Sequence, residues 1–376
     1  MIEYYFPYKY MTDVKWDEVL RTSLSGFLEA KNAYQYNVAL TKLITSIDDS
    51  HGTYVNQKVK DTQFPYTFPF GLSITNDTAI VSVVYNDSLA ELNGIVKNDI
   101  IVSIDDQPIT ELIKKLLPIT AGSNYTAQLA RMFWQGYLFS DSTRQARLGV
   151  LKNGKVEFKR VRRYTSNDVT VSNPFNIEFP KPKILPGNLY YADLSRLSDA
   201  DVHKMMKTAL KTRAIILDLR RLPPVGFNAI CSYFTKKFTH FATAMSPDFT
   251  YPGYFKWIEE LTIHPEQKRK LFKGPVFVLV NEVTQSQNEF TAMALASCDN
   301  VKIVGTQTSG ADGNSTIIEL PGNERFGVTW AGLYYPDKSP AQRVGVRIDI
   351  IVNPTVAGVI EGRDEILERA VLEAIK

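Results

Sequence analysis

The chain has 376 residues, 44% of them apolar and 22% charged, an ordinary globular composition with enough length for two or three domains. Its 43 basic and 40 acidic residues leave a formal charge of +3. They are spread along the chain, so no large single-sign field arises and nucleic-acid binding is not expected. No apolar run approaches the roughly 18 residues of a membrane span, and Glu3 and several tyrosines follow Met1 where a basic and then apolar leader would stand. No signal peptide or membrane span is therefore expected in this chain, although an exported protein trimmed of its leader would read the same way.

Residues 13–30 and 33–47 carry apolar side chains at helical spacing, with Tyr36, Leu40, Leu43, Ile44 and Ile47 forming one stripe. The second helix runs into Asp48-Asp49-Ser50-His51-Gly52, whose polar residues and glycine stop it. Pro65 and Pro69 then precede short β-type runs at 71–74 and 79–84, a segment ending at Asn93-Gly94, and a further run at 99–105. Residues 110–141 are rich in leucine and aromatics and read as helical. A hairpin at 148–161 turns at Asn153-Gly154. After the proline-punctuated linker 181–186, strands at 189–194, 214–219, 276–280 and 302–305 alternate with helices starting near Asp199, Phe227 and Ser286. That alternation is the signature of an α/β layer fold. Residues 364–375 form a short amphipathic helix.

Cys231 and Cys298 lie in apolar stretches outside any metal-ligand spacing, so neither a metal nor an organic cofactor is expected. The segment 273–290 is a buried strand, a tight turn and a helix that begins at Ser286. Free N–H groups and a partial positive charge at such a helix start favour a nearby oxyanion. Ser286 with Glu289 three residues on is also an ordinary capping box, which needs no catalysis. Of the four histidines, His203, His240 and His264 lack flanking signals and read as surface or satisfied core residues. His51 has the polar turn around it, and a neutral imidazole with a pKa near ~6.5 suits a general base at neutral pH.

Several of these segments together resemble the tail-specific serine peptidases and their tricorn-core relatives. The run Val280-Asn281-Glu282 followed by Thr284-Gln285-Ser286 and Glu289 resembles their nucleophile region. Residues 304–313, and Tyr335-Pro336-Asp337 with 342–349, resemble two further family segments, and 66–164 resembles a PDZ domain with a helical insertion. The resemblance implies a crotonase-like α/β core at 166–376, an inserted PDZ-like, β-rich domain at 63–165 and an N-terminal helical unit at 1–62. It makes Ser286 the nucleophile. Where one branch of the family carries its lysine base this chain has Ala311, and where the histidine branch carries a Ser-His pair it has Ser50-His51, so His51 is the implied base. Ser50 and a glutamate complete the implied tetrad; this chain has Gln342 at the glutamate position, an amide that can position a group but not stabilise an imidazolium by charge.

The implied oxyanion donors are the backbone N–H groups of Gln287 and of Val225 or Gly226, in a turn where Pro223 and Pro224 remove two other donors. Phe70, Gly71 and Leu72 are the candidates for peptide binding by strand addition, though a plain edge strand reads equally well. The expected function is a serine endopeptidase acting on peptides or unfolded protein tails. The alternatives are a catalytically impaired peptide-binding relative and, from another class, an acyl-CoA enzyme of crotonase-like fold. The resemblance favours an exported, periplasmic or extracytoplasmic location and leaves homo-oligomerisation open.

Overall fold

A computed structural model describes residues 1–54, 61–136, 138, 140–165, 167–169, 180–221, 223 and 227–376. The fold is mixed α/β with several sheets. The helices Trp16–Leu28 and Ala33–Thr45 form the opening hairpin. The second is started by Asn32, whose side chain accepts from the Gln35 N–H at 3.0 Å. Its stripe of Leu40, Ile44 and Ile47 is buried with Ile2, Phe6 and Tyr8 against Phe326, Val328 and Tyr334. Each such aliphatic side chain contributes about 1.5–3 kcal/mol on full burial. This contact anchors the polar turn at 48–51 over a sheet nearly 300 residues away in sequence.

Residues 66–164 build a twisted antiparallel sheet of strands Phe70–Thr75, Thr78–Val84, Ile100–Ile104, Gln145–Lys152 and Lys155–Arg162, in that spatial order. The last two close through Asn153 and Gly154, both at positive φ (50° and 75°), which the tight hairpin turn requires. The helical reading of 110–141 resolves into helices Ile109–Leu116 and Tyr125–Gln135. The latter packs along strand Phe70–Thr75.

The C-terminal half holds a six-stranded sheet in the order Ile350–Ile351, Val301–Gly305, Val276–Val280, Ala214–Asp218, Leu189–Asp193, Lys183–Leu185. Every neighbouring pair is parallel except the last. Its central strands are buried from end to end, as the near-continuous apolar runs demand. Helices Asp199–Ala209 and Gln287–Ala296 pack with Phe241 and Ile263 in a core on one face, and helix Glu365–Ile375 covers the other.

A second, antiparallel sheet, with strands in the order Phe255–Ile263, Thr239–Pro247, Glu324–Tyr334, Gly313–Leu320, escaped the sequence reading. Its outer strands are exposed over most of their length, so the alternation that reveals a half-buried strand is missing. The omission matters, because strand Glu324–Tyr334 carries the surface on which the 48–51 turn rests.

Candidate active site

Strand Val276–Val280 ends below a turn held by Thr284, whose hydroxyl donates to the Leu219 carbonyl at 3.1 Å. Helix Gln287–Ala296 follows at once, and Ser286 between them has φ 55° and ψ −125°. A non-glycine residue in this sparsely populated region costs of order 1–3 kcal/mol and persists only when its surroundings impose it. Here the Ser286 N–H is held by the Ala311 carbonyl at 3.0 Å and by Glu289 Oε2 at 3.3 Å. The Glu289 half of the capping box is thus present, within a larger device. The same carboxylate accepts from Gly310 N (2.8 Å), Ala311 N (2.9 Å) and the Thr308 hydroxyl (2.5 Å), binding the 308–311 turn to the serine. Glu289 is fully buried, and that burial pushes its carboxyl up to about 7 against the downward pull of these hydrogen bonds. Asp312, also buried and close enough to repel it, is raised well above the usual carboxylate range by its own burial and then by Glu289.

Ala311 is wholly buried and touches Ser286 through its backbone. Gln287 opens the helix, where an N1 amide has no intrahelical acceptor. Val225 and Gly226, the other proposed oxyanion donors, lie outside the described residues. The Arg221 carbonyl accepts from Asn288 Nδ2 at 2.5 Å, which ties Arg221 to helix Gln287–Ala296.

The turn after helix Ala33–Thr45 buries Asp49 and Ser50 almost completely and leaves the His51 side chain 11% exposed. Ser50 forms a reciprocal pair with Ser123, each N–H donating to the other's hydroxyl at 2.8 Å. Ser309 Oγ donates to Gln285 Oε1 at 3.1 Å and accepts from the Ser50 hydroxyl at 3.0 Å. The residue before His51 is in this way joined to the residue before Ser286 through one buried hydroxyl. His51 Nδ1 meets Thr329 Oγ1 at 2.9 Å and faces Asp49 Oδ1 at 3.8 Å. Burial pushes the His51 pKa below its ordinary 6.5; Asp49 pulls it up and the Arg131 guanidinium pushes it down. Arg131 Nη2 also donates to the Ser50 carbonyl at 2.5 Å.

Gln342 is buried and directs Nε2 to Asp49 Oδ1 (3.3 Å) and Ser123 Oγ (3.2 Å). It therefore acts on the turn beside His51 and makes no hydrogen bond to the ring. Ser123, Thr329, Ser309 and Asp49 were all missed as site residues. Asp49 and Ser309 lie inside segments singled out for chemistry, where Asp49 read as a helix stop, and Ser123 lies inside the 110–141 stretch that read only as helical. The remaining histidines are placed as expected: His203 pairs with Tyr233, His240 with Thr243, and His264 packs edge-on to Phe238. Among the described residues no cluster of histidines, cysteines and carboxylates could hold a metal.

Phe70 and Leu72 point inward and are fully buried; a Cβ on Gly71 would lie 2.5 Å from Tyr85 Oη and 2.9 Å from Phe133 Cε2. Any peptide meeting this strand would meet backbone rather than these side chains. No helix among the described residues is long and apolar enough to cross a membrane.

The site as built is a strained serine turn at the carboxyl end of a central parallel strand, facing a buried Asp-Ser-His turn. Residues 187–352, which contain Ser286, match Peptidase family S41. The chain is 33% identical over 90 residues to the carboxy-terminal-processing protease of Bartonella bacilliformis, covering 24% of this chain and 21% of that protein. It thus spans about a fifth of the length of the curated relative it matches. The fold is similar over the whole chain to mature CPAF complexed with lactacystin (TM-score 0.76, 14% identity, 96% of that chain). It is equally similar to mature CPAF without that compound (TM-score 0.76, 14% identity, 95% of that chain).

Proposed function

We propose that the chain is a serine endopeptidase that cleaves peptides or unfolded protein tails through an acyl-enzyme. His51 takes the proton of Ser286 as Oγ attacks the scissile carbonyl, and returns it to the leaving amine as the C–N bond breaks. Water, deprotonated by the same imidazole, then attacks the ester and releases the acid. The Gln287 N–H and a donor from 225–226 hold the oxyanion. In this reading residues 1–62 form the unit that supplies the base, 63–165 a PDZ-like domain and 166–376 a crotonase-like peptidase core. An exported location and self-association belong to the same proposal.

The observation that carries the reading is the buried link from Ser50 through Ser309 to Gln285, because it fixes the base turn against the nucleophile turn. A nucleophile held at positive φ adds weight, since strain of this kind gathers at functional turns. A fluorophosphonate probe tests it: wild type is labelled, and Ser286→Ala and His51→Ala are not. An unlabelled, folded wild type replaces this reading with a non-catalytic peptide-binding module.

A further inference from the structure

We propose that Asp49, two residues before His51 in the same turn, is the carboxylate that fixes the His51 ring and stabilises its protonated form. The inference rests on His51 being the general base. Its side chain is wholly buried, and Oδ1 stands 3.8 Å from His51 Nδ1 while also accepting the His51 backbone N–H at 3.0 Å. Oδ2 accepts the Thr329 N–H at 2.8 Å, and Thr329 Oγ1 is the direct partner of Nδ1 at 2.9 Å. One carboxylate therefore holds both the histidine and the threonine that meets its ring. With the proton on Nδ1 directed at Thr329 Oγ1 and Asp49, Nε2 keeps its lone pair for the Ser286 proton.

The other acidic groups nearby are engaged elsewhere. Asp48 faces Arg343 and the Asp13 N–H, Glu289 holds Ser286 and the 308–311 turn, and Asp312 accepts the Gly313 N–H. Gln342 is neutral and donates to Asp49 rather than to the ring, so it positions the carboxylate. The charged groups acting on His51 are then Asp49 from its own turn and Arg131 from helix Tyr125–Gln135, with opposite effects.

The alternative is that Asp49 only closes the turn. Three variants separate the two roles: Asp49→Asn, Asp49→Asn/Gln342→Glu and Gln342→Glu, each read by the pH profile of the fluorophosphonate rate and by NMR titration of the His51 ring. Asp49→Asn is expected to slow labelling on the order of 100-fold, with His51 titrating at lower pH. Restoring a carboxylate at position 342, whose side chain reaches within 3.3 Å of Asp49 Oδ1, recovers part of that loss in the double variant. Gln342→Glu alone, which adds a second acid beside Asp49, moves the acid limb to higher pH and tests the idea even if Asp49→Asn fails to fold. An unchanged His51 titration in Gln342→Glu, or a folded Asp49→Asn that keeps wild-type rate and titration, overturns the proposal. A wild type that titrates as described but never labels instead sinks the peptidase reading, and the two failures are thereby distinguished.

Discussion

The turns proposed to carry the nucleophile, at Ser286, and the base, at His51, are built in opposite ways. Ser286 is held by backbone and by one buried carboxylate, all within two chain segments, 284–289 and 308–311. The 49–51 turn is held by side chains from distant segments: Thr329 meets the His51 ring, Ser123 and Arg131 bond Ser50, and Gln342 bonds Asp49, which itself accepts the His51 N–H. The first arrangement leaves a continuous motif in the sequence. The second leaves almost none, because each contributor is a lone polar residue in an otherwise unremarkable stretch. Strength of signature and number of contributing elements are thus inversely related in the two halves of one site.

The comparison can be broken first on the base side. Ile47 is buried at the end of the stripe that seats the turn on the antiparallel sheet, so Ile47→Ala is expected to cost about 2–5 kcal/mol in denaturant unfolding. The labelling rate should fall further than folded fraction alone explains, because the His51 turn loses its seat. Equal loss in both measurements would detach the turn from the helix.

Glu289 sharpens the nucleophile side. Glu289→Gln sets an NH2 group among N–H donors and is expected to cost roughly 1–3 kcal/mol for each donor left unpaired. The carboxyl titrates in the folded protein at about 7 against an ordinary 4.5, so its stabilising contribution is complete below 4.5 and is lost as pH rises through about 7. The stability gap between wild type and variant should accordingly be widest in mild acid and narrow toward pH 8. A gap that widens with pH would show that hydrogen bonding, not burial, governs this carboxyl. The smallest effect is expected at Arg131. Removing its charge in Arg131→Gln lifts the downward push on His51, so the acid limb of the labelling profile moves to higher pH with little change in the plateau.

These differences also explain what the sequence revealed. The helical hairpin, the 66–164 sheet and the buried parallel strands were legible because apolar periodicity and Asn-Gly turns are local signals. Ser286 and His51 emerged from contiguous segments together with a family likeness. The antiparallel sheet was not legible, since its exposed outer strands at 255–263 and 313–320 lack alternation. Thr329 went unseen with it. Asp49 was visible as a residue but not as a site, because a helix stop accounts for an aspartate there without reference to residues 280 and 293 positions away.

The most direct test of the account is peptide mapping of the fluorophosphonate adduct on the intact wild-type chain. A single adduct on Ser286, formed more slowly as pH falls through the His51 titration, is the predicted result. An adduct on any other residue, or one on Ser286 whose rate ignores that titration, contradicts it.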